Sequence, residues 1–361
     1  MVFDFYQTKT YKEIAEQSGV NKECTYEQVW DDFITKVEYN SSDVVGVFDG
    51  DMVAYQISAV SDVRSIDVTK GGKTKRFNTR TEFKDYCKNR GLDYSTFEIN
   101  DVIESEDVSY CLGTLKQYLK NVKERLGLTK TIIIIGGSHN QRCDILLKKK
   151  YKDNRKGMIK PTHLQAVREY LVKYCGACIV TKHETDDLVL ALTCEILNNT
   201  QAKVIAISID KDARQALRAF SYYNPHKDEI YHLTGGLGNL EYDKKLSGFG
   251  LKWLVAQVFL FDRSDNYAMN SYYIKQFGEK SFYDTFKDYD NEHDFLQAVV
   301  DKWKELLPQE VEYIAWNGEQ QKDNWLSLAE KHFQLAYMKT SPNDNLNVKK
   351  ILDYYKVKYE K

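Results

Sequence analysis

VVGVFDGD, residues 44–51, is an apolar run that ends in two carboxylates, Asp49 and Asp51. A short apolar run of this kind predicts a buried strand, and DMVAYQISAV from Asp51 onward predicts a helix directly after it. The stretch Thr131–Ile135 is more apolar still. A strand without polar alternation is typical of a parallel sheet that is covered on both faces. The two stretches together therefore indicate a parallel sheet.

Further strands and helices alternate along the chain around these two. Strands are predicted at Ala177–Val180 and Lys203–Ser208, and helices at Ser105–Leu126, Pro161–Tyr174, Asp186–Leu197 and Asp212–Phe220. Alternation of this kind predicts an α/β fold with a mainly parallel central sheet flanked by helices.

Two regions depart from the alternation. Residues 61–105 contain a predicted hairpin from Val63 to Lys75, turning at Gly71-Gly72, and are an insertion between the first helix and the next. Beyond Gly248 the chain is rich in aromatic residues and predicted to be helical, with no strong strand. We therefore expect an α/β core over residues 1–240, with the insertion 61–105, and a helical C-terminal region over residues 245–361.

Composition sets limits on the class of protein. The chain has 361 residues, 42% hydrophobic and 29% charged, with a net charge of −2, which is typical of globular domains and excludes a uniformly basic nucleic-acid binder. Its seven cysteines have no framework spacing, so a reducing, cytoplasmic compartment is expected. Lysines and arginines cluster in two stretches, 70–80 and 148–160. Such stretches are usually solvated surface unless a site uses them.

Carboxylates gather in four clusters: Asp49/Asp51, Glu184/Asp186/Asp187, Asp210/Asp212 and Asp262/Asp265. Three of the clusters directly follow predicted strands, and the carboxyl ends of parallel strands converge on one crevice. Two such charges about 4 Å apart repel by about 4 kcal/mol at an effective dielectric of 20, so the crevice needs cations. Oxygen ligands without His or Cys favour Mg²⁺ or Mn²⁺, and two such ions are suited to phosphodiester hydrolysis.

The alternative interpretation is that these carboxylates are helix N-caps, since Asp51, Asp186 and Asp212 stand where caps are expected. One cap explains one aspartate. It does not explain repeated pairs of carboxylates after successive elements.

The chain contains five short motifs in a fixed order: FDGD (48–51), YKDNRKG (151–157), ETDD (184–187), SIDKD (208–212) and FDRSDN (261–266). In this order they resemble those of the flap endonucleases and phage 5′→3′ exonucleases, a family that includes phage enzymes of ribonuclease H type. The resemblance extends from Asp43 to Asn266. It implies a PIN-like 5′ nuclease core and a two-metal mechanism with Mg²⁺, for which Mn²⁺ can substitute.

The resemblance also implies roles for single residues. Asp49, Glu184 and Asp186 would hold the first metal, and Asp210, Asp212, Asp262 and Asp265 would form or orient the second site. Asp187 would bind through water or bridge the two, and Lys152 and Arg155 would meet the scissile phosphate beside the catalytic Asp186. The nucleic-acid contacts would come from a basic set: Lys149, Lys152, Arg155, Lys156, Lys160 and Arg168.

The chain departs from the family pattern at three places. The second core strand runs into GGSHN (136–140), where the family carries an aspartate. Either Asp51 or Asp144 compensates as a ligand, or the first metal is bound more weakly. After Asn266 the family's glycine-rich helix–hairpin–helix is missing. The K⁺ site that this motif forms in the family is therefore unsupported here. Duplex contact would then fall to Lys252, Lys275 and Lys280. The segment Lys160–Tyr174, which corresponds to the family's helical arch, is short. The basic hairpin 70–80 is either an accessory duplex-contact surface or a structural insertion.

The expected activity is a 5′→3′ exonuclease or flap endonuclease that removes primers in phage-type DNA replication, in the host cytoplasm. Its partners would be DNA with a 5′ end, flap or nick, RNA–DNA hybrid, and replication proteins. Two alternatives remain: a PIN-like RNA nuclease, and a catalytically impaired nucleic-acid-binding homologue.

Overall fold

A six-stranded sheet forms the centre of the computed structural model, which describes residues 23–215, 217–341 and 343–359. Its strands are β1 (Val44–Asp49), β5 (Lys130–Asn140), β6 (Cys178–Lys182), β7 (Lys203–Ile207), β8 (Phe220–Asn224) and β9 (Glu229–Leu233). They lie in the order β6-β5-β1-β7-β8-β9, and every neighbouring pair is parallel except β8–β9. The predicted parallel sheet is confirmed.

Helices cover both faces of this sheet. On one face lie α1 (Tyr26–Trp30) and α6 (Thr185–Asn199), and on the other lie α2 (Gly50–Val60), α4 (Val108–Leu126) and α5 (Leu164–Cys175). Helix α4, which lies within the predicted helix Ser105–Leu126, buries Leu115, Leu119 and Val122, each at most 4% exposed. Each such side chain contributes about 1.5–3 kcal/mol through burial. The predicted α/β fold class is therefore confirmed.

The register of the sheet decides where its carboxylates go. β1 pairs in parallel with β5 and β7, with Val45 opposite both Lys130 and Val204. β5 pairs in parallel with β6. The carboxyl ends of these four strands consequently meet at one edge, where Asp49 ends β1 and residues 184–187 and 210–212 follow β6 and β7.

The insertion forms a small layer of its own, which we call the insertion module (residues 62–105). Its antiparallel sheet has the order β3-β2-β4 and consists of β2 (Asp62–Lys70), β3 (Lys73–Phe77) and β4 (Glu98–Ser105). Helix α3 (Arg80–Asn89) packs on it around Ile66, Phe77 and Phe83. The predicted hairpin around Gly71-Gly72 is confirmed as β2–β3, and β4 is an additional strand.

The C-terminal part of the chain has a separate apolar cluster. It is built from α7 (Gly250–Phe259), α8 (Glu279–Phe286), α9 (Glu292–Leu306), α10 (Trp325–Ala336) and α11 (Val348–Tyr354). Three short antiparallel pairs accompany these helices: β10 (Leu240–Asp243) with β11 (Lys245–Gly248), β12 (Phe261–Asp262) with β13 (Tyr267–Ala268), and β14 (Val311–Ile314) with β15 (Gln320–Asp323). The hairpin β10–β11 spans the expected junction near residues 240–245. The division into two regions stays a prediction.

Two predicted helices differ from the structure. The helix expected over Asp212–Phe220 is wrong, because residues 211–215 form only a 3-10 turn and Phe220 begins β8. Phe220 and Tyr222 are buried in the sheet, so strand burial prevails over the helical spacing of Ala213 and Leu217. The helix predicted from Pro161 begins at Leu164. Among the described residues, no helix combines the length and the apolar character that crossing a membrane requires.

Candidate active site

A cavity of about 270 Å³ opens at the carboxyl edge of the sheet. It brings together carboxylates from three of the four predicted clusters with two of the three cations of the YKDNRKG motif: Asp49, Asp51, Glu184, Asp186, Asp210, Lys152 and Arg155. Sequence positions more than 150 residues apart therefore meet in one space, as parallel strand ends require.

Two of the carboxylates also act as local caps. The Oδ1 atom of Asp49 accepts a hydrogen bond from the backbone N–H of Met52 at 3.0 Å, which caps α2. Asp210 accepts from the N–H of Asp212 at 2.8 Å. The alternative that Asp51, Asp186 and Asp212 are the caps is thus wrong, since these three lie inside the first turns. Capping and site geometry are compatible, because each cap leaves one carboxylate oxygen available.

Asp51 lies against Gly136 of β5, a position at which the strand has no carboxylate of its own. Its Oδ2 atom accepts hydrogen bonds from the N–H of Gly136 at 2.8 Å and from the hydroxyl of Thr185 at 2.7 Å. Its other oxygen forms an ion pair with Arg168. A Cβ atom at Gly136 would lie 2.7 Å from Oδ2 of Asp51, so this carboxylate takes the space that a side chain at position 136 would use.

Gly50 makes this placement sterically feasible. A Cβ atom there would lie 2.6 Å from the carbonyl oxygen of Ile134, so any larger residue would push α2 away from β5. Asp144, the other candidate for compensation, is exposed at the end of the 3-10 turn Gln141–Asp144. The geometry therefore favours Asp51.

Glu184 is the most heavily bonded carboxylate of the site. It contacts the guanidinium of Arg142, the ammonium of Lys152 and the amide of Asn140. The hydroxyl of Tyr151 lies 3.0 Å from its Oε2 atom. Burial raises the pKa of Glu184, but the positive charges of Arg142 and Lys152 outweigh burial and lower this pKa to about 2. Glu184 is therefore an anion held by cations of the protein.

Asp187 faces away from the cavity. Its Oδ1 atom accepts from Arg142 at 2.8 Å and from the N–H of Lys339 at 3.3 Å. Burial raises its pKa to about 6 even though Arg142 works in the opposite direction. Asp187 therefore contacts Arg142 and the C-terminal segment. Its expected role, binding through water or bridging the two metals, stays a prediction.

The second half of the expected site is joined to the first by Tyr151. The hydroxyl of Tyr151 donates to Oδ2 of Asp265 at 2.7 Å, and Arg155 contacts the other oxygen of Asp265 at 2.7 Å. Asp212 accepts from the amide of Gln257. Asp262 pairs with Lys211 at 2.5 Å. Burial acts to raise the pKa of Asp262, but this ion pair and the hydrogen bonds from Ser264 keep it below its ordinary value.

For the remaining carboxylates, the cations of the protein do not offset the effect of burial. Burial raises the pKa of Asp49 to about 7, and it raises the pKa values of Asp186 and Asp212 well above the ordinary value, with repulsion from neighbouring carboxylates adding to the effect. A donor set of buried carboxylate oxygens fits hard divalent cations. Lys152 already places a positive charge between the two halves, with its ammonium in contact with Glu184 and 3.8 Å from Asp265.

Within the described part of the chain, no three acidic, histidine or cysteine side chains surround one point as a ready metal shell. Arg142 and Lys152 contact Glu184, the central carboxylate of the first half. We interpret this arrangement as the cation-paired state of the site. The individual metal ligands inferred from sequence stay predictions.

The predicted nucleic-acid contacts separate into two groups. Lys160 and Arg168 line a larger groove of about 1290 Å³ that also includes Asp51 and Arg155 and runs along α5. Lys149 and Lys156 are exposed, and Lys156 pairs with Asp153.

The lysines suggested for duplex contact in the C-terminal region are engaged elsewhere. Lys252 is only 3% exposed, and its ammonium donates to the carbonyl oxygens of Lys287 and Tyr289. A duplex contact by Lys252 is therefore wrong. Lys275 and Lys280 are exposed and pair with Glu305 and Asp284.

Sequence reasoning missed Arg142, which is 9% exposed and binds Glu184, Asp187 and the carbonyl oxygen of Tyr337. No periodicity or motif marks this residue, since its three partners lie far away in sequence. Tyr151 could have been predicted as a site residue, because it is the first residue of the YKDNRKG motif.

Comparisons with known proteins complete the description. No family model matches the sequence, and no curated protein matches it. Three solved structures of bacteriophage T5 proteins are similar to this chain at low identity. A variant of the T5 5′-exonuclease shares 12% identity with a TM-score of 0.42, over 82% of this chain and 89% of that chain. The T5 D15 protein co-crystallised with metal ions shares 13% with a TM-score of 0.44, over 86% and 96%. A T5 D15 flap endonuclease in a pseudo-enzyme–product complex with DNA and metal ions shares 12% with a TM-score of 0.44, over 82% and 90%.

Proposed function

We propose that this chain is a divalent-metal-dependent 5′ nuclease, a 5′→3′ exonuclease or flap endonuclease that hydrolyses phosphodiester bonds. The observation that carries the proposal is one cavity containing Asp49, Asp51, Glu184, Asp186 and Asp210 beside Lys152 and Arg155. Buried carboxylates in this number are stable only with cations nearby. Cationic side chains next to them are suited to a substrate with phosphate groups.

Mg²⁺ is the cation that the carboxylates fit best, with Mn²⁺ as a substitute. In our proposal Asp49, Glu184 and Asp186 hold one ion, with Asp51 in the place beside Gly136. The second ion belongs to a further set: Asp210, Asp212, Asp262 and Asp265. Bound cations would supply Lewis-acid activation of water and neutralisation of the leaving oxygen.

Lys152 and Arg155 position the scissile phosphate in this proposal. Lys152 has a left-handed backbone conformation, with φ 54°, and its N–H donates to the carbonyl of Asp265 at 2.9 Å. A lysine held in a costly conformation beside a cavity is typical of a functional position. Arg155 can engage two phosphate oxygens through its guanidinium, which a lysine cannot. When a phosphate arrives, both cations exchange a carboxylate partner for it.

The substrate in our proposal is DNA with a free 5′ end, a flap or a nick, and RNA–DNA hybrid, as in primer removal during DNA replication of the phage type. The groove lined by Lys160 and Arg168 leads to the cavity at Asp51 and is suited to a single strand. Replication proteins are the expected partners, and the host cytoplasm is the expected compartment.

The test is cleavage of three labelled substrates, a 5′-flap DNA, a nicked duplex and an RNA–DNA hybrid, with Mg²⁺ and then with EDTA. We expect cleavage near the 5′ end with Mg²⁺ and none with EDTA. Asp186→Asn should abolish cleavage while binding stays within about threefold, because the amide keeps the size but loses the charge. The exposed Asp144→Asn is the matched control and should cut normally.

Other outcomes lead to the alternatives. Cleavage of single-stranded RNA alone would indicate a PIN-like RNA nuclease. Binding without cleavage in either Mg²⁺ or Mn²⁺ would indicate a catalytically impaired homologue. Normal cleavage by Asp186→Asn would show that the site is elsewhere.

A further inference from the structure

We infer that the insertion module, residues 62–105, is a duplex-binding arm that contacts nucleic acid through cations stacked on its aromatic core. The inference rests on the proposed function and adds to it a second contact surface beyond the cleavage site. The cations are Lys70, Lys75, Lys84 and Arg90.

The charges of the module divide into balanced and unbalanced sets. Arg76 pairs with Asp67 and Glu104, Arg80 pairs with Asp101, and Arg64 lies 3.5 Å from Asp62. These arginines are therefore neutralised inside the module. The four cations named above make no ion pair with any described residue, and all four are exposed. Of the module's carboxylates, Asp62, Asp67, Asp101 and Glu104 are held in the ion pairs just described, whereas Glu82, Asp85, Asp93 and Glu98 form none with a described residue. The four stacked cations remain open to solvent.

The unbalanced cations lie around one cluster of rings. Lys75 and Arg90 lie 4.5 Å and 4.6 Å from the centre of the Tyr86 ring. Lys70 lies 4.5 Å from the centre of Phe97, and Lys84 lies 5.5 Å from that of Tyr94. Phe83 joins the cluster, with ring centres 5.1 Å from both Tyr94 and Phe97.

This stacking orders the cations in advance. Contact with a ring restricts a long side chain without neutralising its charge, so less conformational entropy is lost when a phosphate binds. An ion pair would restrict the side chain too, but a phosphate would first have to displace the carboxylate partner. The arrangement is therefore suited to binding a polyanion.

The position of the module favours duplex nucleic acid over an acidic protein. Its base adjoins the groove of the proposed site, since Asp62 accepts from the N–H of Thr162 at 3.0 Å and Thr162 lines that groove. Strand β2 has 9 residues and so extends about 30 Å, close to the length of about nine base pairs. The cations lie towards the far end of this strand, because Lys70 is its last residue and Lys75 is the ladder partner of Val68. A duplex that leaves the groove along the module therefore meets them only beyond about its first six to eight base pairs.

The experiment measures affinity, in EDTA, for two labelled 5′-flap DNAs whose duplexes have about 8 and about 24 base pairs, at about 50 to 200 mM KCl. The variant carries Lys75→Gln, Lys84→Gln and Arg90→Gln, which keeps side chains over the rings but removes the charge. For the long duplex we expect about tenfold weaker binding and a salt dependence lowered by about two to three phosphate contacts. For the short duplex we expect little change.

The matched control removes equal charge from the C-terminal region with Lys304→Gln, Lys322→Gln and Lys349→Gln, where Lys304 also lies over a ring, that of Trp325. A second variant, Lys73→Glu with Lys88→Glu, places acid on exposed positions of the module and avoids the stacked core. Any of three results would overturn the inference. The affinity could fall equally for both duplex lengths, it could fall equally in the control variant, or it could stay unchanged in both module variants. Because binding is measured without metal, failure of the cleavage proposal would appear separately, as absence of cutting by the unmodified protein.

Discussion

Lys152 has two carboxylate neighbours, Glu184 and Asp265, and lines the cavity beside the strand ends. A lysine bound in this way has its ammonium fixed before any substrate arrives. Its charge is then available at little cost in entropy where negative charge develops on a phosphate. At the scale of single residues, Lys152 is the clearest candidate for stabilising the transition state.

We expect Lys152→Ala to lower kcat by about a hundredfold or more, as removal of one fixed donor at a developing oxyanion does. The affinity for flap DNA should change by less than about threefold, because a single phosphate contact contributes little to binding. Single-turnover cleavage and equilibrium binding measure the two effects. Lys203→Ala is the control, since Lys203 is exposed and begins β7, at the end of the strand opposite the cavity. A loss of affinity without a loss of kcat would contradict the assignment.

Much of the candidate site was predictable at this scale, and the reason is topological. Asp49, Glu184, Asp186 and Asp210 follow strands, and parallel strand ends must meet. Side-chain direction was less predictable. Asp187 follows Asp186 directly, yet it faces Arg142 and Lys339, because successive helical residues differ by about 100° in direction.

Arg142 connects three elements of the fold. It lies in the 3-10 turn after β5, contacts Glu184 and Asp187 at the start of α6, and donates to the carbonyl of Tyr337 after α10 at 2.7 Å. Removing one partner of a buried ion pair leaves uncompensated charge in the interior. The C-terminal segment and the carboxyl edge of the sheet are therefore coupled through one guanidinium.

Arg142→Ala should lower the free energy of unfolding by about 3–5 kcal/mol in EDTA. Adding Mg²⁺ should restore part of this loss, since another cation can then balance Glu184, so the Mg²⁺-induced rise in Tm should be larger in the variant than in the unmodified protein. Arg142→Lys keeps the charge and should lose less. Equal Tm values for Arg142→Ala and the unmodified protein in EDTA would refute this coupling.

A buried histidine makes α10 sensitive to pH. His332 donates from Nδ1 to the carbonyl of Leu328 at 2.8 Å, and its Nε2 atom is buried with no partner among the described residues. Burial lowers the pKa of His332 from 6.5 to about 4. The unfolded chain therefore binds a proton that the folded chain excludes. The stabilisation is complete above about pH 6.5 and is lost as pH falls towards 4.

Between pH 7.5 and pH 5, this one group should cost about 2 kcal/mol of stability. Denaturant unfolding at both pH values would measure the loss in the unmodified protein and in His332→Phe, which keeps the ring but cannot titrate. The unmodified protein should lose about 2 kcal/mol more than the variant. Identical losses in the two proteins would mean that His332 does not titrate on unfolding.

Sequence patterns were less reliable for elements whose partners are distant. The helix predicted over Asp212–Phe220 has suitable spacing, but Gln215 donates to the carbonyl of Ala336 at 2.7 Å and Phe220 enters the sheet beside β7. The short hairpins of the C-terminal region are also tertiary in origin. Their strands have two to four residues, too few for alternation to be detected.

At the scale of the whole molecule, the insertion module has an apolar cluster separate from those of the central sheet. Its apolar cluster of Ile66, Val68, Phe77, Phe83 and Cys87 is distinct from the two clusters that cover the central sheet. The two ends of the module lie side by side, because Asp62 and Ser105 are partners in the β2–β4 ladder. Just outside it, the N–H of Glu106 donates to the carbonyl of Ser61 at 2.9 Å.

This geometry predicts that the module can be removed without loss of the core. Replacing residues 63–104 by two glycines spans the gap of about 5 Å between ladder partners and keeps the contacts of Asp62 and Ser61. The shortened protein should unfold cooperatively, with a Tm within about 4 °C of the full chain, and should still cut a 5′ flap on a short duplex with Mg²⁺. Its affinity for a flap on a long duplex should fall by about tenfold or more, in line with the loss of several phosphate contacts.

Calorimetry and binding assays on the shortened protein and on the full chain would test this prediction. If the shortened protein fails to fold, the module is a structural part of the core, and if it binds both duplexes as the full chain does, duplex contact lies elsewhere.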